Sequence, residues 1–108
     1  MGFQVRSIPP FDRQLKRLAK KYRSLRDEYA VLLAELEVNP QSGTGIGHNC
    51  YKIRLAIASK GGGKSGGARV ITYVQIVNKT VYLLAVYDKG EQESLTDKQV
   101  LALLGYAE

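Results

Sequence analysis

The sequence predicts an α+β domain. A small antiparallel sheet of about four strands, in the order β-αα-βββ-α, carries an N-terminal helical hairpin on one face and ends in a short C-terminal helix. Three observations carry this expectation. Apolar residues recur at helical spacing from Phe11 to Leu36. β-branched and aromatic residues dominate three runs between Tyr51 and Tyr87. Pro and Gly residues punctuate the joins.

Residues Phe3 to Ile8 alternate, with Phe3 and Val5 on one face and Gln4 and Arg6 on the other. They read as a short strand stopped by Pro9-Pro10, a pair that also suits a helix start. Phe11, Leu15, Leu18, Tyr22 and Leu25 then follow in steps of four and three, which puts them on one helix face. Between them lie Arg13, Lys16, Arg17, Lys20, Lys21 and Arg23, a basic face that suits solvent, nucleic acid or an acidic partner. Ser24 and Asp27 form a capping signature for a second helix starting near Leu25. That helix turns Tyr29, Leu32, Leu33 and Leu36 inward and its carboxylates outward, and Asn39-Pro40 ends it. Gln41 to His48 read as a glycine-rich loop.

In the strand that follows, Tyr51, Ile53, Leu55 and Ile57 share one face, and Lys52, Arg54, Ala56 and Ala58 share the other. A basic glycine loop leads to a second strand, in which Arg69, Ile71 and Tyr73 oppose Val70, Thr72 and Val74. Asn78-Lys79 turns the chain into a third strand, Val81 to Tyr87, apolar on both faces and so expected inside the sheet. After a polar loop, Asp88 to Ser94, Thr96 and Gln99 signal another helix start, and Gly105 a helix end. The helices would cover one face. Lys52, Arg54 and Arg69 would point from the other, partly open face.

The chain of 108 residues suits a single domain, residues 1–108, with 44% hydrophobic residues to build a core. Sixteen Lys and Arg against ten Asp and Glu leave a net charge of +6, which suits a polyanionic partner or simple solubility. The lone Cys50 excludes an internal disulfide, fits a reducing cytoplasmic setting and reads as a small buried hydrophobe. There is no secretory signal pattern and no apolar run of membrane-spanning length, so no membrane partner is expected. His48, the single histidine, reads as a surface loop residue.

Two phosphate-loop patterns fall in the glycine loop. Ala58 to Ser65 match a relaxed A-x-x-x-x-G-K-S, and Gly61, Gly63 and Gly66 match G-x-G-x-x-G. Both need a helix directly after the loop, whose first N–H groups bind the phosphates. Here Gly66-Gly67 and then β-branched residues predict a strand, so both motifs are rejected. The loop is expected to be a mobile hairpin tip, with Lys60 and Lys64 available for nonspecific contact with RNA phosphates, alongside Lys20 and Lys21 of the basic helix.

No cluster of metal-ligand residues and no Ser-His-Asp set can be picked out, so neither metal nor small-molecule cofactor is expected. What remains is cationic: Lys52, Arg54, Arg69 and Lys89, with Tyr87 nearby in phase. Metal-free RNA cleavage needs a base for the 2′-OH, cations on the phosphate and a proton for the leaving 5′-oxygen. Arginine forks bind phosphate. A lysine among other cations gives up its proton more readily. A tyrosine can stack a base or hold it in line. The same residues also suit a binding surface with no chemistry.

The stretches NP-x-x-G-x-x-x-G-x-x-CYKIRLAI, GKSGGARVITY and VYLLAVYDKGEQESLTDKQV, with the leading F-x-x-x-x-KRLAKKY helix, resemble the RelE/ParE superfamily of bacterial type II toxin–antitoxin toxins, on the RelE side. The resemblance covers nearly the whole chain. It implies a cytoplasmic toxin that cleaves messenger RNA on the ribosome by 2′-OH attack and is held inactive by a cognate antitoxin. The implied site is Lys52, Arg54, Arg69 and Lys89. The RelE branch carries Arg at the position of Lys89 and Tyr at that of Leu95; Tyr87 or Tyr106 would take the tyrosine's place. The glycine loop is longer than the RelE connection. The ParE branch implies an alternative, a gyrase-inhibiting toxin of the same fold. A non-catalytic basic RNA-binding module is a third reading.

Overall fold

The computed structural model describes residues 2–107. β1 (Gln4–Ser7) leads to α1 (Pro9–Lys21), with Pro in the first helical positions as expected, and α2 (Leu25–Val38) follows. The sheet continues with β2 (Thr44–Gly47), β3 (Cys50–Leu55), β4 (Ala68–Gln75) and β5 (Thr80–Asp88). A helical turn, α3 (Gly63–Gly66), interrupts the loop between β3 and β4, and α4 (Asp97–Leu104) closes the chain. The five strands lie in the order β1-β5-β4-β3-β2. The α+β class therefore holds, and β5 is interior, flanked by β1 and β4.

The sheet differs from expectation in three ways. First, the glycine-rich stretch after α2 is not all loop. Thr44–Gly47 pair antiparallel with β3 across a two-residue turn, His48-Asn49, in which both residues have positive φ (57° and 61°). Such a turn matches the twist of the flanking strands. Its usual Asn-Gly signature is absent, so the hairpin was not legible. Second, β1 runs parallel to β5, with Val5 beside Val81, so the sheet is mixed rather than purely antiparallel. The two helices carry the chain from β1, at one edge of the sheet, to β2 at the other, and the strands then return antiparallel until β5 lies beside β1 in parallel. Third, the glycine loop is not a bare tip, since its tip folds into the α3 turn.

Paired residues across an antiparallel ladder share a face. Ile53 with Val70 and Val86, and Thr72 with Leu83, form the face under α1 and α2, and all are buried. The helices add Phe11, Leu18, Leu25, Leu32 and Leu36 to this core. A register shift between Ile71 and Thr72 inserts Leu84 as an extra residue on β5. The other face carries Arg54, Arg69 and Tyr87 in one row and Lys52, Ile71 and Ala85 in the next.

The helix caps divide. Thr96 makes the full capping box with Gln99, at 3.1 and 2.8 Å. Ser24 stands at the start of α2 but makes no side-chain cap. Its hydroxyl instead donates to Glu28 at 3.1 Å and accepts from the Ser59 N–H at 2.9 Å, tying the helix to the segment after β3. The Asp27 half of the expected signature has no hydroxyl cap to complete.

Candidate functional site

The β3 backbone projects Lys52 and Arg54 together, two residues apart on one strand face. Arg54 lies directly across from Arg69, and Arg69 directly across from Tyr87. Two like charges opposed in a ladder cost a few tenths of a kcal/mol or more, to about 1. The pair persists because the two side chains part. Arg54 is exposed, whereas Arg69 is buried, 4% exposed, and gives its N–H groups to the carbonyls of Lys64 at 2.9 Å, Ala68 at 3.0 Å and Ser65 at 3.3 Å. Arg69 is thus a clamp on the α3 turn.

A second clamp holds the other end of the loop. Lys60 reaches the carbonyl of Gly66 and the buried carboxylate of Asp88, the latter at 2.6 Å. Asp88 also accepts from the Tyr22 hydroxyl at 2.5 Å and the Gly90 N–H at 2.8 Å. Burial pushes its carboxyl up, but the hydrogen bonds from Lys60, Tyr22 and Gly90 outweigh that and hold it at about 2. Lys21 stands 3.9 Å from Asp88 and 3.5 Å from Glu91, and Glu91 also pairs with Arg17 at 3.0 Å. The loop expected to be mobile is therefore fastened to α1 and to the end of β5.

The two clamps place Lys64 on a groove of about 580 Å³ between α2 and β3. Lys52 and Arg54 line the same groove, over an apolar floor that includes Leu32, Ile53 and Leu55; Asp27, Glu28 and Glu35 stand on its helix side. Glu28 is engaged there by the Ala58 N–H, at 2.6 Å. Among the described residues, no carboxylate pairs with Lys52, Arg54 or Lys64. A smaller cavity of about 250 Å³ lies on the far side of Lys52, where Tyr87, Ile71 and Leu95 meet Val100 of α4. Lys52 lines both spaces.

The nine residues singled out from sequence thus separate. Lys52, Arg54 and Lys64 share the groove, and Lys52 and Tyr87 share the cavity. Arg69 lies beside them but is turned into the loop. Lys60 is engaged by Asp88, and Lys89 pairs with Glu93 at 3.4 Å and borders neither space. Lys20 and Lys21 lie on α1, which packs on β5, two strands away from β3. Tyr106 is exposed beyond α4, whereas Leu95 is a wall of the cavity. Burial raises the Tyr87 phenol despite nearby Arg69, so it stays protonated at neutral pH. Burial also pushes the Cys50 thiol up to about 11, which leaves it inert. His48 is more than a loop residue: its Nε2 meets Asp97 at 3.0 Å and ties the β2–β3 turn to the start of α4.

Sequence reasoning missed Asp88. Its signal was its phase: it sits two residues after Val86, on the helix-covered side, paired with Ala68. A carboxylate in that position must find donors, and Tyr22 and Lys60 supply them.

No family model matches the chain. Solved structures do match it in fold. A double arginine-to-alanine variant of the E. coli toxin RelE in the free state superposes with a TM-score of 0.60 at 22% identity, covering 86% of this chain and 90% of that one. The RelBE2 toxin–antitoxin complex of Mycobacterium tuberculosis gives 0.60 at 17% identity, covering 82% and 92%. Isolated E. coli RelE gives 0.51 at 19% identity, covering 94% and 95%. The strand order, the helical hairpin on one face and the closing helix on the other are, in this chain, those of the RelE toxin fold.

Proposed function

We propose that this protein is the toxin of a type II toxin–antitoxin pair and an endoribonuclease that cleaves messenger RNA on the ribosome. The observation that carries the reading is the groove, where Lys52, Arg54 and Lys64 converge without carboxylate partners among the described residues. Other cations are engaged by carboxylates: Lys60 by Asp88, Lys89 by Glu93 and Arg17 by Glu91. Cations gathered on β3 and the neighbouring α3 turn without ion-pair partners suit a phosphate backbone. The likeness to RelE, named as a toxin, and to a toxin–antitoxin complex supports the class of protein and an antitoxin partner.

In the proposed reaction the Arg54 guanidinium and the Lys64 ammonium hold the non-bridging oxygens of the scissile phosphate. Lys52 acts as the base that takes the proton of the ribose 2′-OH. The 2′-oxygen bonds to phosphorus and the bond to the 5′-oxygen breaks. That oxygen takes a proton from Lys64. The products are a 2′,3′-cyclic phosphate and a free 5′-OH. Arg69 is assigned a positioning role: it holds the turn that carries Lys64.

The test is to induce the protein in cells and map messenger 5′ ends, with Lys52→Ala/Arg54→Ala as control. Both side chains leave the fold's core untouched, so loss of cleavage with an unchanged circular dichroism spectrum supports the reading. A double variant that stays fully toxic refutes it. Inhibition of DNA supercoiling without new messenger ends would move the protein to the gyrase-directed alternative.

A further inference from the structure

The chemistry above uses one wall of the groove. Lys52, Arg54 and Lys64 take the phosphate, and the α2 wall facing them has no role in it. Helical spacing builds that wall. Asp27, Val31 and Glu35 follow one another at intervals of four, which stacks them on one face of α2, the two acidic positions about 12 Å apart along the axis. Val31, between them, is 68% exposed, an apolar side chain that the fold itself leaves uncovered. Leu32, Ile53 and Leu55 continue the apolar surface across the floor.

Three carboxylates face the groove, and their partners set them apart. Glu28 accepts from the Ser24 hydroxyl at 3.1 Å and the Ala58 N–H at 2.6 Å. Glu35 accepts from the Ser42 hydroxyl at 3.2 Å on one oxygen, and its other oxygen has no partner among the described residues. The Asp27 carboxylate has no partner among them at all. Nor does an ion pair bridge the walls there: among the described residues, no α2 carboxylate pairs with Lys52, Arg54 or Lys64. The groove thus holds open acceptors on one side, cations on the other and apolar surface between. An occupant that satisfies all three carries an anion at one end, a flat ring in the middle and N–H donors at the far edge. A nucleotide has that order, and about 580 Å³ lies within the roughly 300–1,000 Å³ of sites that enclose small ligands.

We propose that the α2 wall selects the base: Asp27 and Glu35 accept hydrogen bonds from N–H donors on the base edge, while the phosphate lies on Lys52, Arg54 and Lys64. The proposal rests on the RNA reading of the groove and adds to it which bases the groove takes. A carboxylate only accepts, and it can take two parallel bonds at once. Guanine offers it two adjacent donors, N1–H and the 2-amino group. Cytosine and adenine offer one amino group beside a ring-nitrogen acceptor. Uracil offers a single N3–H between two carbonyl oxygens, which a carboxylate repels. The order is guanine first, cytosine and adenine next, uracil last. The same carboxylates repel phosphate, so a strand lying with its backbone against α2 is disfavoured.

The test measures fluorescence anisotropy of the intact protein with labelled RNA hexamers at low salt. The hexamers are all uridine, or uridine with one central guanosine, inosine, cytidine or adenosine, and carry 2′-O-methyl groups so that no strand is cut. The guanosine hexamer should bind at least about tenfold tighter than the all-uridine one, with cytidine and adenosine between. Inosine lacks the 2-amino group and should lose at least about threefold against guanosine. In Asp27→Asn/Glu35→Gln, side chains of the same shape both donate and accept. The all-uridine hexamer should then bind more tightly and the guanosine advantage should fall below about twofold, with an unchanged circular dichroism spectrum. A merely structural role would weaken every hexamer alike. Equal binding of all hexamers by the unmodified protein would overturn the selection and leave the groove reading standing. So would a double variant that keeps the base order, which would leave the α2 wall to a protein partner. Failure of the unmodified protein to bind any hexamer would overturn both.

Discussion

Asp88→Asn isolates the clamp that fastens the glycine loop. The carboxylate is 2% exposed and accepts from Lys60, Tyr22 and the Gly90 N–H. Its fall from an ordinary 3.8 to about 2 corresponds to about 2–3 kcal/mol of folding free energy at neutral pH. Because the folded-state value is the lower one, this stabilisation is complete above about pH 4 and is lost as pH falls towards about 2. Asn keeps the shape but removes the charge, and Lys60, with 23% of its side chain exposed, can turn to water. The expected loss is therefore about 2–3 kcal/mol, at the low end of the roughly 3–5 of a fully buried broken pair. For a domain of this size that lowers Tm by about 10–20 °C. Urea denaturation followed by circular dichroism at pH 7 and at pH 2.5 measures both halves. At pH 7 the variant is less stable by the stated amount, and near pH 2.5 most of the gap has closed. A variant as stable as the parent at pH 7, or a gap unchanged by acid, would refute the assignment. A cycle with Lys60→Met should return a coupling of at least about 1 kcal/mol.

Three further outcomes follow from single contacts. Thr96→Ala removes the capping box of α4 and should cost about 1 kcal/mol in the same urea assay, with α4 amides exchanging faster with solvent. Gly67→Ala should cost about 3 kcal/mol, because a Cβ there runs into the Leu55 carbonyl, whereas Gly61→Ala, at positive φ but in open space, should cost about 1. Arg54→Ala should leave stability unchanged or raise it by a few tenths of a kcal/mol by relieving the opposition to Arg69, while lowering the salt slope of RNA binding by about one. An Arg54 variant that loses stability and keeps its salt slope would remove Arg54 from the groove's function.

Most of the architecture was legible because it rests on periodicity. The steps from Phe11 to Leu25, the second apolar set to Leu36, and the alternation of Lys52 and Arg54 with Ile53 and Leu55 all survive in the structure. What was not legible depends on partners far along the chain. Thr44–Gly47 carry little apolar signal, and they become a strand because β3 offers them an edge and His48-Asn49 adopt left-handed conformations. β1 is short and mostly exposed, so nothing within it chooses between parallel and antiparallel pairing. The choice belongs to the helical hairpin, which delivers the chain to the other side of the sheet.

The site was legible as a list of cations but not as a division of labour. Residue type alone makes Lys60, Lys64, Arg69 and Lys89 equivalent, and all four sit near glycines or strand ends. The structure separates them by what each charge meets. Lys60 meets a buried carboxylate, Arg69 meets three carbonyls, Lys89 meets Glu93, and Lys64 is left facing the groove. The separation follows from burial. Asp88 is on the covered face and must be neutralised locally, so the cation that reaches it is withdrawn from ligand binding. Arg69, buried on the opposite face, must satisfy its donors on the backbone it can touch. The glycine loop can supply those carbonyls because its glycines let it fold back on the sheet: Gly61, Gly62 and Gly63 all take positive φ. The glycine run therefore serves to place Lys64 beside Lys52 and Arg54, and the two engaged cations are what hold it there.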